Sequence, residues 1–270
     1  MSSPTPAKTA DILERIVSAR RRALAEAKRT TSVATLEERA AVAPPPLDFA
    51  AALCRDGINI IAELKKASPS RGLLRAAYNP AALAASLEQA GAAALSVLTE
   101  PDFFQGSLED LTLARKVSGL PVLRKDFLFD PYQLYEARAA GADAFLLIAA
   151  VLTTNELRRL ITLGRQLGMA ALVEVHAGEE LEDALGAGAR LIGVNNRNLK
   201  TLEVSLETSR RLIEAVPDDC LAVSESGLSR RQDLEKLRRA GFDAFLVGEA
   251  LMQAPEPASV LRALVTSEAQ

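Results

Sequence analysis

The 270-residue chain has one histidine, two cysteines and an aromatic content of only 4%. His176 has no second histidine beside it, and Cys54 and Cys220 lie far apart without metal-ligand spacing, so no zinc-type cluster is expected. Both cysteines sit in apolar surroundings that read as ordinary packing, and so little cysteine points to a cytoplasmic home without a disulfide framework. There is no excess of one charge: 32 Lys and Arg stand against 35 Asp and Glu, for a net of −3. Without a basic stripe or many aromatics, nucleic acid is not an expected partner. No apolar run reaches the roughly 18 residues a membrane span needs, and the opening "MSSPTPAKTADILERIVSARRRALAEAK" has no uninterrupted apolar segment, so neither insertion nor export is expected. The Gly-x-Gly-x-x-Gly fingerprint of a doubly wound dinucleotide-binding sheet, the competing fold, is also missing.

What is present is a repeat. The phrases "AGAAALSVL", "AGADAFLLI", "LGMAALVEV", "AGARLIGVN" and "AGFDAFLVG" each set a helix-stopping glycine a few residues before an apolar, strand-like run. With Gly119 and the break at Pro217 added, the steps are 28, 22, 27, 20, 29 and 24 residues, each the length of one strand plus one helix. The strands expected are "INIIAELK", "AALSVLTE", "PVLRKDF", "AFLLIAA", "AALVEVH", "LIGVNN", "CLAVSES" and "AFLVGEA". Thr153 with Glu156, and Ser229 with Gln232, read as capping boxes that open two of the intervening helices. Eight apolar strands alternating with helices predict an α/β fold, a closed (β/α)8 (TIM) barrel. Residues 1–45 fall outside the repeat and are too short for a core of their own; they are expected to form an N-terminal helical extension on a barrel domain spanning 46–270.

In such a barrel the active site is built from the carboxyl ends of the strands. Those positions carry Glu63 and Lys65 on strand one, Lys125 on three and Glu174 on five. Asn195 and Arg197 end strand six, Glu225 and Ser226 strand seven, and Gly248 strand eight. A single strand-end charge is usually just solvated, but charges from five strands aimed into one narrow mouth are costly unless paired or ligand-bound. Gly227 and Gly248, with the amide of Glu249, stand where this fold commonly binds phosphate, with the Glu249 carboxylate expected to turn away. His176 reads as an exposed loop-start residue, and Lys66 as outward-facing and expendable. With no Cys or His cluster, lysines and carboxylates are left to do the chemistry, which suits proton transfer around a carbonyl. Other phosphate-binding barrels fit this far: an isomerase, an aldolase using Lys125 as a Schiff-base nucleophile, or a non-catalytic binding barrel.

The phrases "IAELKKASPSRG", "SVLTEPDFFQGS", "PVLRKDF", "LVEVH", "IGVNNRNLKTLEV", "SESGL" and "VGEALM", in this order over about residues 48–265, resemble the indole-3-glycerol-phosphate synthase family of tryptophan biosynthesis. The resemblance implies a carboxy-lyase without metal or cofactor. It would close the ring of 1-(2-carboxyphenylamino)-1-deoxyribulose 5-phosphate to give indole-3-glycerol phosphate, carbon dioxide and water. By the same resemblance Lys125 is the general acid at the ketone, Glu174 the acid/base of dehydration, and Lys65 a binding group or second proton donor. Glu63, Asn195 and Ser226 match polar positions that orient the substrate and the lysines. Ser68 and Arg197 match holders of its carboxylate or phosphate, Phe104 and Leu146 its apolar walls, and Glu225, Gly227, Gly248 and Glu249 the remaining substrate contacts. The implied partner is this phosphorylated small molecule, bound by a monomer or weak homo-oligomer.

Overall fold

A computed structural model describes residues 12–199 and 201–266. Eight strands close into a parallel barrel: β1 (Asn59–Leu64), β2 (Ala94–Leu98), β3 (Val122–Lys125), β4 (Ala144–Ile148), β5 (Ala170–Val175), β6 (Leu191–Asn195), β7 (Leu221–Glu225) and β8 (Ala244–Val247). Each pairs with its neighbours in sequence, and β1 closes the ring against β8 with Asn59 opposite Ala244. The eighth strand is shorter than "AFLVGEA" suggests, because Gly248 caps a short helix that takes up Glu249 onward.

The repeated glycines explain how each helix hands over to a strand. Gly91, Gly141, Gly168, Gly188 and Gly241 all have positive φ, between 74° and 116°, where a side chain is strained. The residue after each donates its N–H to the carbonyl five positions back, as in Ala92 to Leu87 at 3.1 Å and Met169 to Gly164 at 2.9 Å. That 6→1 bond satisfies the helix end and aims the chain at the sheet.

Alternation along the strands then sorts the side chains. Ile61, Ala94, Leu123, Ala144, Leu146, Leu172, Leu191, Val223, Ala244 and Leu246 fill the barrel interior with Phe49 and Leu53 from the segment before β1. Their neighbours, such as Ile60, Leu95, Phe145, Val173 and Ile192, pack outward against the helices. Each buried Leu, Ile, Val or Phe among them contributes about 1.5–3 kcal/mol. The inward row ends in polar groups, because two residues beyond Leu172 comes Glu174 and two beyond Leu123 comes Lys125.

Ahead of the barrel lie α1 (Ile12–Thr30), α2 (Val33–Val42) and a single turn, α3 (Phe49–Ala52). Residues 1–11 of the expected extension and 267–270 of the barrel segment lie outside the described residues. Arg20 on α1 reaches the buried Asp126 at 2.9 Å and Lys28 reaches Asp130 at 2.8 Å. The Tyr132 hydroxyl donates to the carbonyl of Ala27 at 3.0 Å.

Between the strands run α4 (Pro80–Gln89), α5 (Pro101–Phe104), α6 (Leu108–Val117), α7 (Pro131–Ala139), α8 (Thr154–Gln166), α9 (Gly178–Gly186), α10 (Glu207–Leu212) and α11 (Arg231–Arg239), and after β8 come α12 (Glu249–Gln253) and α13 (Pro257–Val265). The capping box of Thr153 and Glu156 forms at the start of α8. The second expected box does not: α11 begins after Arg230 without a side-chain cap, and Ser229 lines the barrel mouth instead. Cys54 is also not packed as expected. It is exposed just past α3, while Cys220 is buried.

Candidate active site

A cavity of about 890 Å³ opens at the carboxyl ends of the strands, within the size range of small-molecule sites. Its lining brings together Glu63, Lys65, Phe104, Lys125, Leu146, Glu174, Asn195, Arg197, Glu225, Ser226, Gly227, Gly248 and Glu249. Ser68 is the expected residue outside that lining, in an adjoining pocket that shares Lys65, Phe104, Arg197 and Glu249 with the cavity. It is buried in a side pocket under Ile12, Leu13 and Ile16 of α1, where its Oγ accepts from the Arg71 amide at 3.3 Å and fixes the loop after β1. That loop folds into a small antiparallel pair, Ala67–Ser68 with Gly72–Leu73.

Lys125 is the hub. Its Nζ lies 2.7 Å from Glu174 Oε2 and 2.7 Å from Glu225 Oε2, with only 12% of the side chain exposed. Burial alone would favour the neutral amine, but the carboxylates of Glu174, Glu225 and Glu63 outweigh it and hold the ammonium charged well above the ordinary lysine range. Two carboxylates competing for one lysine are then driven apart. Burial disfavours both anions, yet Lys125 and His176 pull Glu174 well below the usual carboxylate range. Glu225 is pushed up to about 7, because burial and the Glu174 charge together exceed the pull of Lys125. Its second oxygen, Oε1, is buried without a hydrogen-bond partner.

Lys65 and Glu63 share a face, as period two requires, and pair at 2.5 Å. Glycine makes room for these acids. A Cβ on Gly248 would stand 2.1 Å from Glu63 Oε2, and one on Gly193 2.1 Å from Glu225 Oε1. Gly248 therefore serves a close approach within the site. Ser226 and Gly227 follow β7 with φ of 67° and 78°, a left-handed pair that turns the chain across the mouth. Asn195 Oδ1 accepts from the Arg197 amide at 3.0 Å and sets the course of that loop. The Glu249 carboxylate does not turn away as expected. It reaches back to Arg71 at 3.0 Å and Arg197 at 3.3 Å, because two guanidiniums offer it a better partner than solvent.

His176 is likewise not an exposed loop residue. Only 13% of its side chain is exposed, with Nδ1 3.1 Å from Glu180 and Nε2 3.4 Å from Glu174, a close contact that is not aligned as a hydrogen bond. Burial works against its charge, but the two carboxylates win and raise its pKa to about 10.

Several supporting residues lay beyond the sequence reading. Asn196 is buried and spans four groups: its Nδ2 donates to Ser224 Oγ and to the carbonyls of Glu225 and Ser226, while its Oδ1 accepts from Ser209. Arg124 and Asp126 flank Lys125; Arg124 turns away from the cavity, bound by Thr99, Asp126 and the Gln133 carbonyl, while Asp126 is fully paired at the cavity's edge. Alternation alone signals this, since three successive charges in "RKD" cannot all enter one mouth. Glu100 accepts from the amides of Asp102, Phe103 and Phe104 and so seats the Phe104 wall.

A parallel eightfold barrel with paired lysines and buried carboxylates at the carboxyl ends of its strands defines the class: a TIM-barrel protein. The family model described as indole-3-glycerol phosphate synthase matches residues 13–264, and the chain belongs to that family. The indole-3-glycerol phosphate synthase of Dechloromonas aromatica is 48% identical over 258 residues, 94% of this chain and 98% of the relative. That of Koribacter versatilis is 50% identical over 256 residues, with the same shares covered. Among solved structures, 3-hexulose-6-phosphate synthase from Salmonella typhimurium superposes with a TM-score of 0.62 over 77% of this chain and 96% of the other, at 14% identity. Thiamine phosphate pyrophosphorylase from Pyrococcus furiosus gives 0.58 over 77% and 93%, at 16% identity. Likeness at such identities bears on the fold alone.

Proposed function

We propose that the protein converts 1-(2-carboxyphenylamino)-1-deoxyribulose 5-phosphate into indole-3-glycerol phosphate, carbon dioxide and water, a carboxy-lyase step of tryptophan biosynthesis, with no metal or added cofactor. Membership in the family supports this reading, and the observation that carries the chemistry is the Lys125 ammonium held between Glu174 and Glu225 at the base of the mouth. A buried, fixed cation there stabilises the negative charge that grows on the ketone oxygen as the ring carbon attacks, then protonates it. Loss of carbon dioxide restores the aromatic ring. Glu174 next takes a proton from the carbon next to the nitrogen and delivers one to the departing hydroxyl.

In this reading Lys65, steadied by Glu63, is the second cation at the substrate, and Asn195 and Ser226 orient it. Arg197 and the amides of Gly227, Gly248 and Glu249 hold the phosphate, while Phe104 and Leu146 flank the aromatic ring. Ser68 acts through the loop after β1. The working unit comprises the extension, 1–45, on the catalytic barrel, 46–270, as a cytoplasmic monomer or weak homo-oligomer that takes no nucleic acid or membrane partner. A Schiff-base aldolase fits less well, because a lysine held this firmly charged is a poor amine nucleophile. EDTA-treated protein given the substrate should generate indole fluorescence. A folded sample that gives none would overturn the proposal.

A further inference from the structure

The proposed reaction has a proton balance of its own. The substrate's carboxylate departs as neutral carbon dioxide and the ketone oxygen departs as water, so each turnover must take up one proton from solvent. The groups that handle protons are deeply placed, with side-chain exposures of 12% for Lys125, 4% for Glu174 and 1% for Glu225. Once substrate fills the mouth, solvent cannot reach them from that side.

Behind Glu174 lies a second way out. Lys125 occupies Glu174 Oε2, on the cavity side, whereas His176 Nε2 stands 3.4 Å from the opposite oxygen, Oε1. The other ring nitrogen, Nδ1, is 3.1 Å from Glu180 Oε2, whose side chain is 25% exposed in the first turn of α9. The His176 amide donates to the same Glu180 oxygen at 2.7 Å and fixes the carboxylate over the ring. The chain's single histidine thus bridges a buried carboxylate to a solvent-accessible one.

We propose that His176, with Glu180, is the proton relay that draws from solvent, and passes through Glu174, the proton that restores Lys125 after it has protonated the ketone oxygen, while the mouth is occupied. The proposal rests on the ring-closing activity above. The imidazolium Nε2–H bond breaks as its proton passes to Glu174 Oε1, the Glu174 carboxyl hands a proton from Oε2 to the Lys125 amine to restore the ammonium, and neutral imidazole is left with Nδ1–H on Glu180. Water or a buffer acid at Glu180 resupplies the ring, and a tautomer exchange or ring turn restores Nε2–H. His176 acts through Glu174 and touches no substrate, so it is a positioning and relay residue.

The test is steady-state turnover of wild type, His176→Asn and Glu180→Gln in light and heavy water, with and without added imidazole. For His176→Asn the relay predicts kcat reduced about tenfold or more, KM within about threefold, a larger solvent isotope effect and partial recovery with imidazole. Glu180→Gln, which leaves the ring in place, should show the same pattern more weakly. Variants with kcat within about twofold of wild type would overturn the relay, as would a loss of kcat with an unchanged isotope effect and no imidazole rescue. If the wild-type protein itself formed no indole product, the underlying activity would fall and the relay with it; normal wild-type turnover beside unaffected variants would sink the relay alone.

Discussion

At the scale of single residues, charge balance decides the behaviour of the site. Lys125 stays charged in a buried position because three carboxylates surround it, and burial together with the Glu174 charge pushes Glu225 up to about 7 against the pull of Lys125. His176 stays charged for a similar reason, which ties it to stability as well as to proton supply. Its folded pKa, about 10, lies above the ordinary 6.5, so its contribution is fully present below pH 6.5 and is lost as pH rises toward 10. The melting temperature of wild type should exceed that of His176→Asn most clearly below pH 6.5, with the gap closing through the alkaline range. A gap that widens with pH would contradict this assignment. Strand periodicity and the position of each residue at a strand end made Glu63, Lys65, Lys125, Glu174, Asn195 and Glu225 legible in the sequence. His176 was misread because it lies one residue past the end of β5, where alternation no longer dictates direction, and Glu180 arrives from the next helix. The Glu249 pairings depend on Arg71 and Arg197, two loops distant in sequence, and no local pattern announces them.

At the scale of elements, strand ends and their glycines set the geometry. β6 carries Gly193 beside the Glu225 carboxylate, so Gly193→Ala drives a methyl into an acid that is itself bound to Lys125. That substitution should cost at least about tenfold in kcat, since small misplacements of catalytic groups have large kinetic effects. Stability should fall only about 1–3 kcal/mol, as for ordinary overpacking. Unchanged kcat in the folded variant would show that Glu225 can shift freely. The α1 helix depends on Arg20, whose partner Asp126 adjoins Lys125 and also accepts from Thr99 and Arg124. Because Asp126 keeps those partners, Arg20→Met should lower the urea-unfolding free energy by about 1–3 kcal/mol rather than the larger loss of a fully orphaned buried charge. No loss at all would mean that the Arg20 contact is not stabilising. Helix starts were readable where the capping residues sit next to the helix, as at Thr153. At Ser229 the same letters lie in the loop after β7, and the mouth claims the side chain.

At the scale of the whole molecule, the barrel was legible because its repeat is written in chain order, with glycine-ended helices leading into apolar strands at spacings of 20–29 residues. Backbone sterics enforce that repeat locally, so one sequence is enough to show it. The docking of α1 across the mouth was not legible, since it is carried by contacts such as Arg20 to Asp126 and Lys28 to Asp130 that span about a hundred residues. These contacts place the extension beside the catalytic strand, so the barrel and its first helices form one functional unit in the proposed reading. The central claim is that the buried, doubly paired Lys125 is the acid that makes ring closure possible. The most direct measurement follows indole fluorescence and substrate affinity together for wild type and Lys125→Ala. The account predicts that turnover vanishes in the variant while binding stays within about tenfold, because the ammonium acts mainly on the transition state. Turnover by Lys125→Ala at a rate near that of wild type would contradict it and transfer the role of acid to Lys65.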